Sequence, residues 1–491
     1  MPVLLCHVPA AWWVDAHPRN NAWSGNEQDI RLLRVARRWN ALLAVGILLG
    51  ILFIWIWRRQ HGMASLLAGG MAAFSPGILA HASVAATDGL FCAIWVAAVA
   101  CLAWYARKPT RLRGLGLAIV TSVLIATKYS GVIFLGVAFV TLLVFETRSA
   151  NAGAMVSFLR NGFRAAWKTG GICIACVPLV WLMHGFSLSS LTPQQTLEQT
   201  PAILRPSPIT GIVFQYVHNR TGHPAYLLGN NSNSGWWYYH PAVMAFKSTP
   251  VEFVLLVATV GIVAWRGARI LLGGERLDES RTVWYVSFVM LLVAFLGSHV
   301  CIGQRYILPL YPLSILIVVD SLAGWRGWSS KLKWREATIV SSCALLVQAS
   351  NALLVSPHLL SYFSPIVGGA SHGERFLVDS NLDWGQDLPE LRNEMHRLGY
   401  RRIALQYFGT ASPAAYGVDS IPLGPDIRDC QGVAVSKTFL WGAYTGGRDP
   451  FRKFRDIEPI GSAGYSIAIY DLKDARVREA SQFAISAGVP R

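Results

Sequence analysis

Long apolar runs separated by short basic loops limit this chain's folds more than any other feature. Runs suited to a hydrocarbon core of roughly 30 Å lie at about 40–57, 65–82, 88–105, 114–128, 130–146, 171–187, 250–266, 283–300, 306–323 and 337–355. The 491 residues are 53% hydrophobic and only 14% charged, with a mean hydropathy of +0.39. That is the composition of a membrane protein. The expected fold is a polytopic α-helical membrane protein of about 10 spans with a C-terminal extracytoplasmic α/β domain.

The loop charges alternate. Arg58 and Arg59; Arg107, Lys108, Arg111 and Arg113; Arg148, Arg160, Arg164 and Lys168; Arg266, Arg269, Arg276 and Arg281; and Arg326, Lys331, Lys333 and Arg335 fall in one set of loops. The positive-inside rule makes that set cytoplasmic. The opposite set holds the bend at 81–88, the turn at Lys128, the stretch 188–249, the turn at 301–305 and the tail from 356 to 491, which then face outward. The expected location is a bacterial inner membrane with the tail on the periplasmic side. The net charge of +16 follows from this topology. Its partners are membrane lipids, and no segment reads as a nucleic-acid module.

Residues 1–39 break the pattern, because alternation puts them outside while Arg31, Arg34, Arg37 and Arg38 crowd the first apolar run. The opening MPVLLCHVPAAWWVDAHPRN lacks the basic start and continuous apolar core of a signal peptide. The expectation is a domain plan of 1–39 as an outer-face remnant, 40–355 as the membrane domain with outer loop 188–249, and 356–491 as the tail. A spanning segment upstream of Met1 is expected to be absent from this reading frame. The eight cysteines form no disulfide framework, and CIAC at 173–176 reads as packing inside an apolar segment.

Polar residues gather at the outward loops. In HASVAATDGLF, residues 81–91, Asp88 stands near the hydrocarbon boundary, where an ionisable group points to function. Thr87 or Asp88 capping the next helix is the competing account. Lys128 in ATKYSG is a cation suited to a phosphate, or it snorkels to the outer headgroups. The long loop HNRTGHPAYLLGNNSNSGWWYYHPAVMAFKSTP adds His218, Arg220, His223, His240 and Lys247 among aromatics, which suit a carbohydrate or an interfacial belt. CIGQRYILPLYP places Arg305 beside Tyr306 at another outer entrance.

The tail has ordinary charge density. ERFLVDS, LPELRNEMHRLG and RRIALQYFG read as strand, helix and strand, with further strands near GVAVSKTFL and GYSIAIYDL. Asp379, Asn381, Asp383, Asp387 and Glu390 match calcium-loop spacing, but Trp384 stands where that loop needs glycine. Asp387 and Glu390 are equally explained as a capping box for a helix ending at Gly399.

SPGILAHASVAATDG, GLAIVTSVLIATKYSG, the GHPAYLLG to FKSTP loop, RYILPLYP and FLVDSNLDWGQDL, in that order over nearly the whole chain, resemble the bacterial GT-C membrane glycosyltransferases of the protein-mannosyltransferase-like family 39. The resemblance implies inverting transfer of a sugar from a polyprenyl- or dolichyl-phosphate carrier to an acceptor hydroxyl of a protein, glycan or lipid at the outer face. It implies Asp88 as a catalytic or metal-linked residue assisted by His81. Lys128 and Arg305 become donor-phosphate contacts, with His223, Lys247 and Tyr306 lining the substrate cavity. A divalent metal, Mg or Mn, is implied at Asp88. The acid that the family carries in its first outer loop is missing, since Asp15, Glu27 and Asp29 lack that setting. A transporter or flippase of lipid-linked sugars is the alternative from another class, with a non-catalytic assembly protein beside it.

Overall fold

A computed structural model describes residues 27–60, 62–84, 86–148, 154–183, 207–272, 277–323 and 331–489. Backbone in lipid must satisfy its own N–H and C=O groups, so the apolar runs become helices. They are α1 (Glu27–Gln60), α2 (Met63–Ala73), α3 (Pro76–Ser83), α4 (Thr87–Arg107), α5 (Arg111–Thr127), α6 (Ile133–Arg148) and α7 (Ala154–Met183). After α8 (Ser207–Thr221) and α9 (Tyr239–Lys247) come α10 (Pro250–Leu271), α11 (Glu279–Leu296), α12 (Leu310–Ala323) and α13 (Lys331–Val355). Seven helices among the described residues are long and apolar enough to cross a membrane, or up to eight if α2 and α3 count as one.

The expected ten spans are therefore not all present as full-length helices. The run at 65–82 breaks at Ser75–Pro76 into a pair bent by 57°; Pro76 starts a helix well but cannot continue one. Helix α5 has 17 residues, and α12 is another short apolar helix.

The boundary expected at 39/40 lies inside α1. This helix has 34 residues, a length of about 51 Å, and outruns the hydrocarbon core at its basic N-terminal end. Arg31 and Arg34 there line a cavity of about 240 Å³ together with Arg392 and Tyr416 of the tail. The basic start of α1 thus meets the tail domain. Asp15 lies outside the described residues.

The far ends of the helices carry a buried ion cluster. Asp320, 1% exposed, accepts from Arg59 Nε at 2.7 Å and from Arg281 Nε at 2.7 Å. Arg59 also reaches Asp278 at 2.9 Å, and Arg107 donates to Ser280 at 3.0 Å. These basic residues share one end of the bundle, opposite the tail.

In the tail, β3 (Ile403–Gln406), β4 (Ser420–Pro422), β5 (Gly432–Ser436), β6 (Gly461–Ala463) and β7 (Ile467–Asp471) form one sheet in the order β4-β3-β5-β7-β6. β3 runs parallel to β4 and β5, while β7 is antiparallel to β5 and β6. Alternate side chains of a strand face opposite ways. Ile403, Leu405, Ile467 and Ile469 therefore meet helix α14 (Leu388–Leu398), and Ala404, Val433, Val435 and Tyr470 pack with helix α16 (Ala475–Ala487) across the other face. The short α15 (Lys437–Leu440) follows β5 directly.

ERFLVDS is not a strand: its residues lie in 3₁₀ turns at Ala370–Arg375 and Asp379–Asn381. Gly399 does end α14 in the left-handed conformation, at φ 71°. Asp387 and Glu390 do not form a capping box, because the Asp387 side chain makes no cap bond and instead takes the Ser466 hydroxyl at 2.8 Å. A reciprocal capping box exists elsewhere, between Thr249 and Glu252 at the start of α10. The described cysteines are all free thiols. In CIAC, Cys176 is buried inside α7 with its thiol toward Ala118 O at 3.5 Å.

Two stability outcomes follow. Asp320→Ala removes the buried carboxylate that two guanidinium groups share and leaves them only Asp278, and breaking a buried pair costs up to about 3–5 kcal/mol; the melting temperature in detergent should fall, and an unchanged melt would refute the cluster's role. Burial pushes the Asp383 carboxyl up to about 8. The folded state then holds a proton that the unfolded chain, at 3.8, has released. Stability should decline as pH rises from about 4 to 8. Asp383→Asn should flatten that decline in thermal melts across this range; an equally steep decline in the variant removes Asp383 as its source.

Candidate functional site

The bend between α3 and α4 is built by close contact. A Cβ on Gly89 would stand 2.6 Å from the Ala82 backbone, so only glycine lets the two helices meet. Asn40 of α1 then donates its side-chain amide to Ala82 O at 2.9 Å, Val84 O at 2.8 Å and Ala86 O at 3.2 Å. These bonds tie α1 to the bend, where Val84 O also takes the Ala86 N–H at 2.7 Å. Asp88 comes to rest in the first turn of α4 and is fully buried.

Neither Thr87 nor Asp88 caps that helix; its N-cap is Ala86, without a side-chain bond. The Asp88 carboxylate instead meets Lys128 Nζ at 2.7 Å through one oxygen and Arg305 at 2.9 Å through the other. Lys128 is held at the junction of α5 with a 3₁₀ turn (Tyr129–Val132), 14% exposed, so it does not snorkel. Its ammonium lies 4.1 Å from the Tyr306 ring centroid, and the Arg305 guanidinium lies 4.7 Å from that of Trp384 in the tail. His81 is buried within electrostatic reach of Asp88, and its Nδ1 has no hydrogen-bond partner among the described residues.

A cavity of about 290 Å³ opens beside this group. Lys128 and Tyr306 form its polar side, and Phe91, Trp95, Ile133 and Leu291 part of its apolar wall. The structure thus brings together Asp88, His81, Lys128, Arg305 and Tyr306.

Lys247 lies within electrostatic reach of His81 but does not line this cavity. It is 1% exposed, its Nζ donating to Leu360 O at 2.8 Å and Asn381 O at 2.7 Å, with the Phe363 ring at 4.3 Å. Burial lowers the affinity of this amine for its proton. Its place as a cavity residue is corrected to that of a clamp between α9 and the tail. Asn381 completes the clamp by accepting the Gln304 N–H at 3.0 Å and donating to Tyr239 at 3.2 Å. Gly303, at φ 97°, makes room, since a Cβ there would stand 2.4 Å from Asn381 Oδ1.

His223 also stands apart from Asp88. It precedes a hairpin of β1 (Ala225–Leu227) and β2 (Asn230–Ser232) and packs its ring edge-on to Tyr444 of the tail at 5.7 Å. Of the aromatic run, Trp237 and Tyr238 are exposed as an interfacial belt requires, while Tyr239 is buried.

Sequence reasoning treated Asp379 as a member of a calcium loop. Asn381, Asp383 and Asp387 instead point to separate partners. Asp379 lies within electrostatic reach of Arg305 and His223. Its carboxylate accepts the Tyr444 hydroxyl at 3.0 Å, and its N–H donates to Thr438 at 3.2 Å. Burial pushes its carboxyl up to about 6, against the opposing pull of Tyr444, His223 and Arg305. The only sequence signal was its position in the tail's acidic DSNLD run.

A divalent metal does not fit at Asp88, because both carboxylate oxygens already face cations and a metal would meet their repulsion. Among the described residues no group of three or more His, Cys, Asp or Glu side chains is arranged to hold a metal ion. No protein-family model matches the chain, nor does any curated protein.

Asn40→Leu keeps the volume and removes the donors. Losing a hydrogen bond of this kind costs about 0.5–1.5 kcal/mol. Faster amide exchange across residues 82–88 is expected, and wild-type protection there would show that Asn40 does not hold the bend.

Proposed function

We propose that this protein is a glycosyltransferase of the GT-C kind, related to family 39. It moves a sugar, with inversion, from a polyprenyl- or dolichyl-phosphate carrier to an acceptor hydroxyl at the membrane face that bears the tail. On this reading the membrane is a bacterial inner membrane, the chain crosses it about ten times with the shorter helices included, and the tail is periplasmic.

The observation that carries the reading is the buried group of one carboxylate and two cations, of which Lys128 lines a largely apolar cavity. Its net charge is a single positive one, the complement of a glycosyl phosphodiester. A carrier phosphate meets Lys128 and Arg305 there, while the adjoining isoprenyl chain lies on Phe91, Trp95 and Leu291. Both cations are held in place before substrate arrives, so they stabilise the charge that develops on the leaving phosphate without first reorganising. Asp88 orients them. Tyr306 packs beneath the ammonium and keeps it directed at the cavity.

The test uses the full chain in proteoliposomes with radiolabelled mannosyl, glucosyl and galactosyl polyprenyl phosphates and an octyl hexoside acceptor. At least one donor should be consumed, with Lys128→Met and Arg305→Met each slowing its consumption about 100-fold or more. Donors left intact, or moved across the bilayer uncleaved, would overturn the reading; the latter would indicate a flippase.

A further inference from the structure

We propose that Asp379 of the tail domain is the base that takes the proton from the acceptor hydroxyl, with Tyr444 and His223 forming the acceptor side of the site. This rests on the transferase reading above.

The backbone gives the first observation. Among the described residues four that are not glycine have clearly positive φ, namely Leu228, Asp379, Tyr444 and Asp449. Asp379 at φ 57° and Tyr444 at φ 58° are hydrogen-bonded to each other through their side chains. Side chains with a Cβ avoid this region, and where they adopt it the strain clusters at functional sites. The fold holds Asp379 there by several bonds: its N–H goes to Thr438, and its carbonyl accepts from Leu382 and Asp383, both at 2.8 Å.

The second observation is a contrast of surroundings. Each Asp88 oxygen faces a cation, and a carboxylate so paired is a poor acceptor for another proton. Asp383 and Asp387 are buried. Asp379 is half-buried, and its carboxylate accepts a bond from the neutral Tyr444 hydroxyl. Arg305, which pairs with Asp88, acts electrostatically on Asp379 as well. Asn381 on the Asp379 turn accepts the N–H of Gln304, next to Arg305, so the turn that carries Asp379 is bonded to the one that carries the guanidinium assigned to the donor phosphate.

The reaction then balances without a metal. The acceptor O–H gives its proton to an Asp379 oxygen while the acceptor oxygen bonds to the anomeric carbon of the sugar. The bond from that carbon to the phosphate oxygen breaks, and its electron pair leaves on the carrier phosphate beside Lys128 and Arg305. The products are the glycoside, the carrier phosphate and a protonated Asp379, which gives up its proton before the next turnover. Tyr444, His223, Arg305, Tyr239 and Asp383 are the titratable and charged groups that act on this carboxylate. With its carboxyl near 6, Asp379 is ionised at neutral pH and more basic than an ordinary aspartate.

The experiment measures donor consumption and pH profiles in the same proteoliposomes for wild type, Asp379→Asn and Tyr444→Phe, with melts recorded for each. Asp379→Asn should lower kcat about 100-fold or more while the KM for the donor stays near wild type. A purely structural role would not separate the two parameters in this way. Removing the Tyr444 hydroxyl withdraws a bond that favours the charged carboxylate, so the acid limb of kcat/KM, expected near pH 6, should move to higher pH in Tyr444→Phe. Wild-type kcat in Asp379→Asn, or an unmoved acid limb in Tyr444→Phe, overturns the assignment. If wild type leaves every donor intact, the transferase reading itself has failed; if wild type consumes donor and Asp379→Asn does so equally well, only the base has been misassigned.

Discussion

The carboxylate of Asp88 is removed from water, and the tail-side end of the bundle is organised around what that requires. A buried charge without partners is costly enough to unfold a domain or to force the group to neutralise. Here one partner comes from the end of α5 and the other from the loop after α11, and both loops must be delivered to the same point. Gly89 lets α3 and α4 approach closely enough to aim the carboxylate. Asn40 satisfies the bend that results. Each of these residues would be a poor choice for a plain membrane helix, and each follows from holding one ion triad in place.

The same logic joins the tail to the membrane helices. Lys247 is as deeply buried as a core leucine, yet its ammonium ends on two carbonyl oxygens, one of them belonging to Asn381. Asn381 in turn receives the N–H of Gln304, the residue before Arg305. Whatever places Asn381 therefore places Arg305 as well. The neighbouring Asp379 is carried on the same short turn, and Trp384 lies against the Arg305 guanidinium. The tail is a working wall of the site, tied to it through a chain of directional bonds.

Much of this arrangement could be read from residue types, and the remainder depended on contacts distant in sequence. Apolar runs of eighteen residues or more announce helices because lipid leaves the backbone few alternatives. Their breaks were less legible: the run at 65–82 has a helix's composition, and Pro76 divides it. Asp88, Lys128, Arg305 and Tyr306 stood out as polar groups at outward turns, but that Asp88 holds both cations is a fact of three dimensions. Lys247 misled because a lysine beside aromatics looks like a ligand contact; burial among carbonyls is invisible without the fold. The strand expected at ERFLVDS failed for a related reason, since its apolar residues face the membrane domain's core and not a sheet. Asp379 was hidden by its neighbours, whose spacing suggested a cation loop that the side chains do not form.

Two carboxylates in different surroundings are a common way to divide chemical roles within one site. Asp88, enclosed by opposite charges, is fixed as an anion and fixes the cations in return; it is a scaffold made of charge. Asp379 receives a hydroxyl hydrogen bond, and burial raises its carboxyl to about 6, so its proton occupancy changes near neutral pH. A transfer that leaves negative charge on a lipid phosphate needs the first kind of group near the leaving oxygen. One that takes a proton from an alcohol needs the second kind near the attacking oxygen. On the proposed reading Arg305 is shared between them, so a displacement of the tail would disturb both.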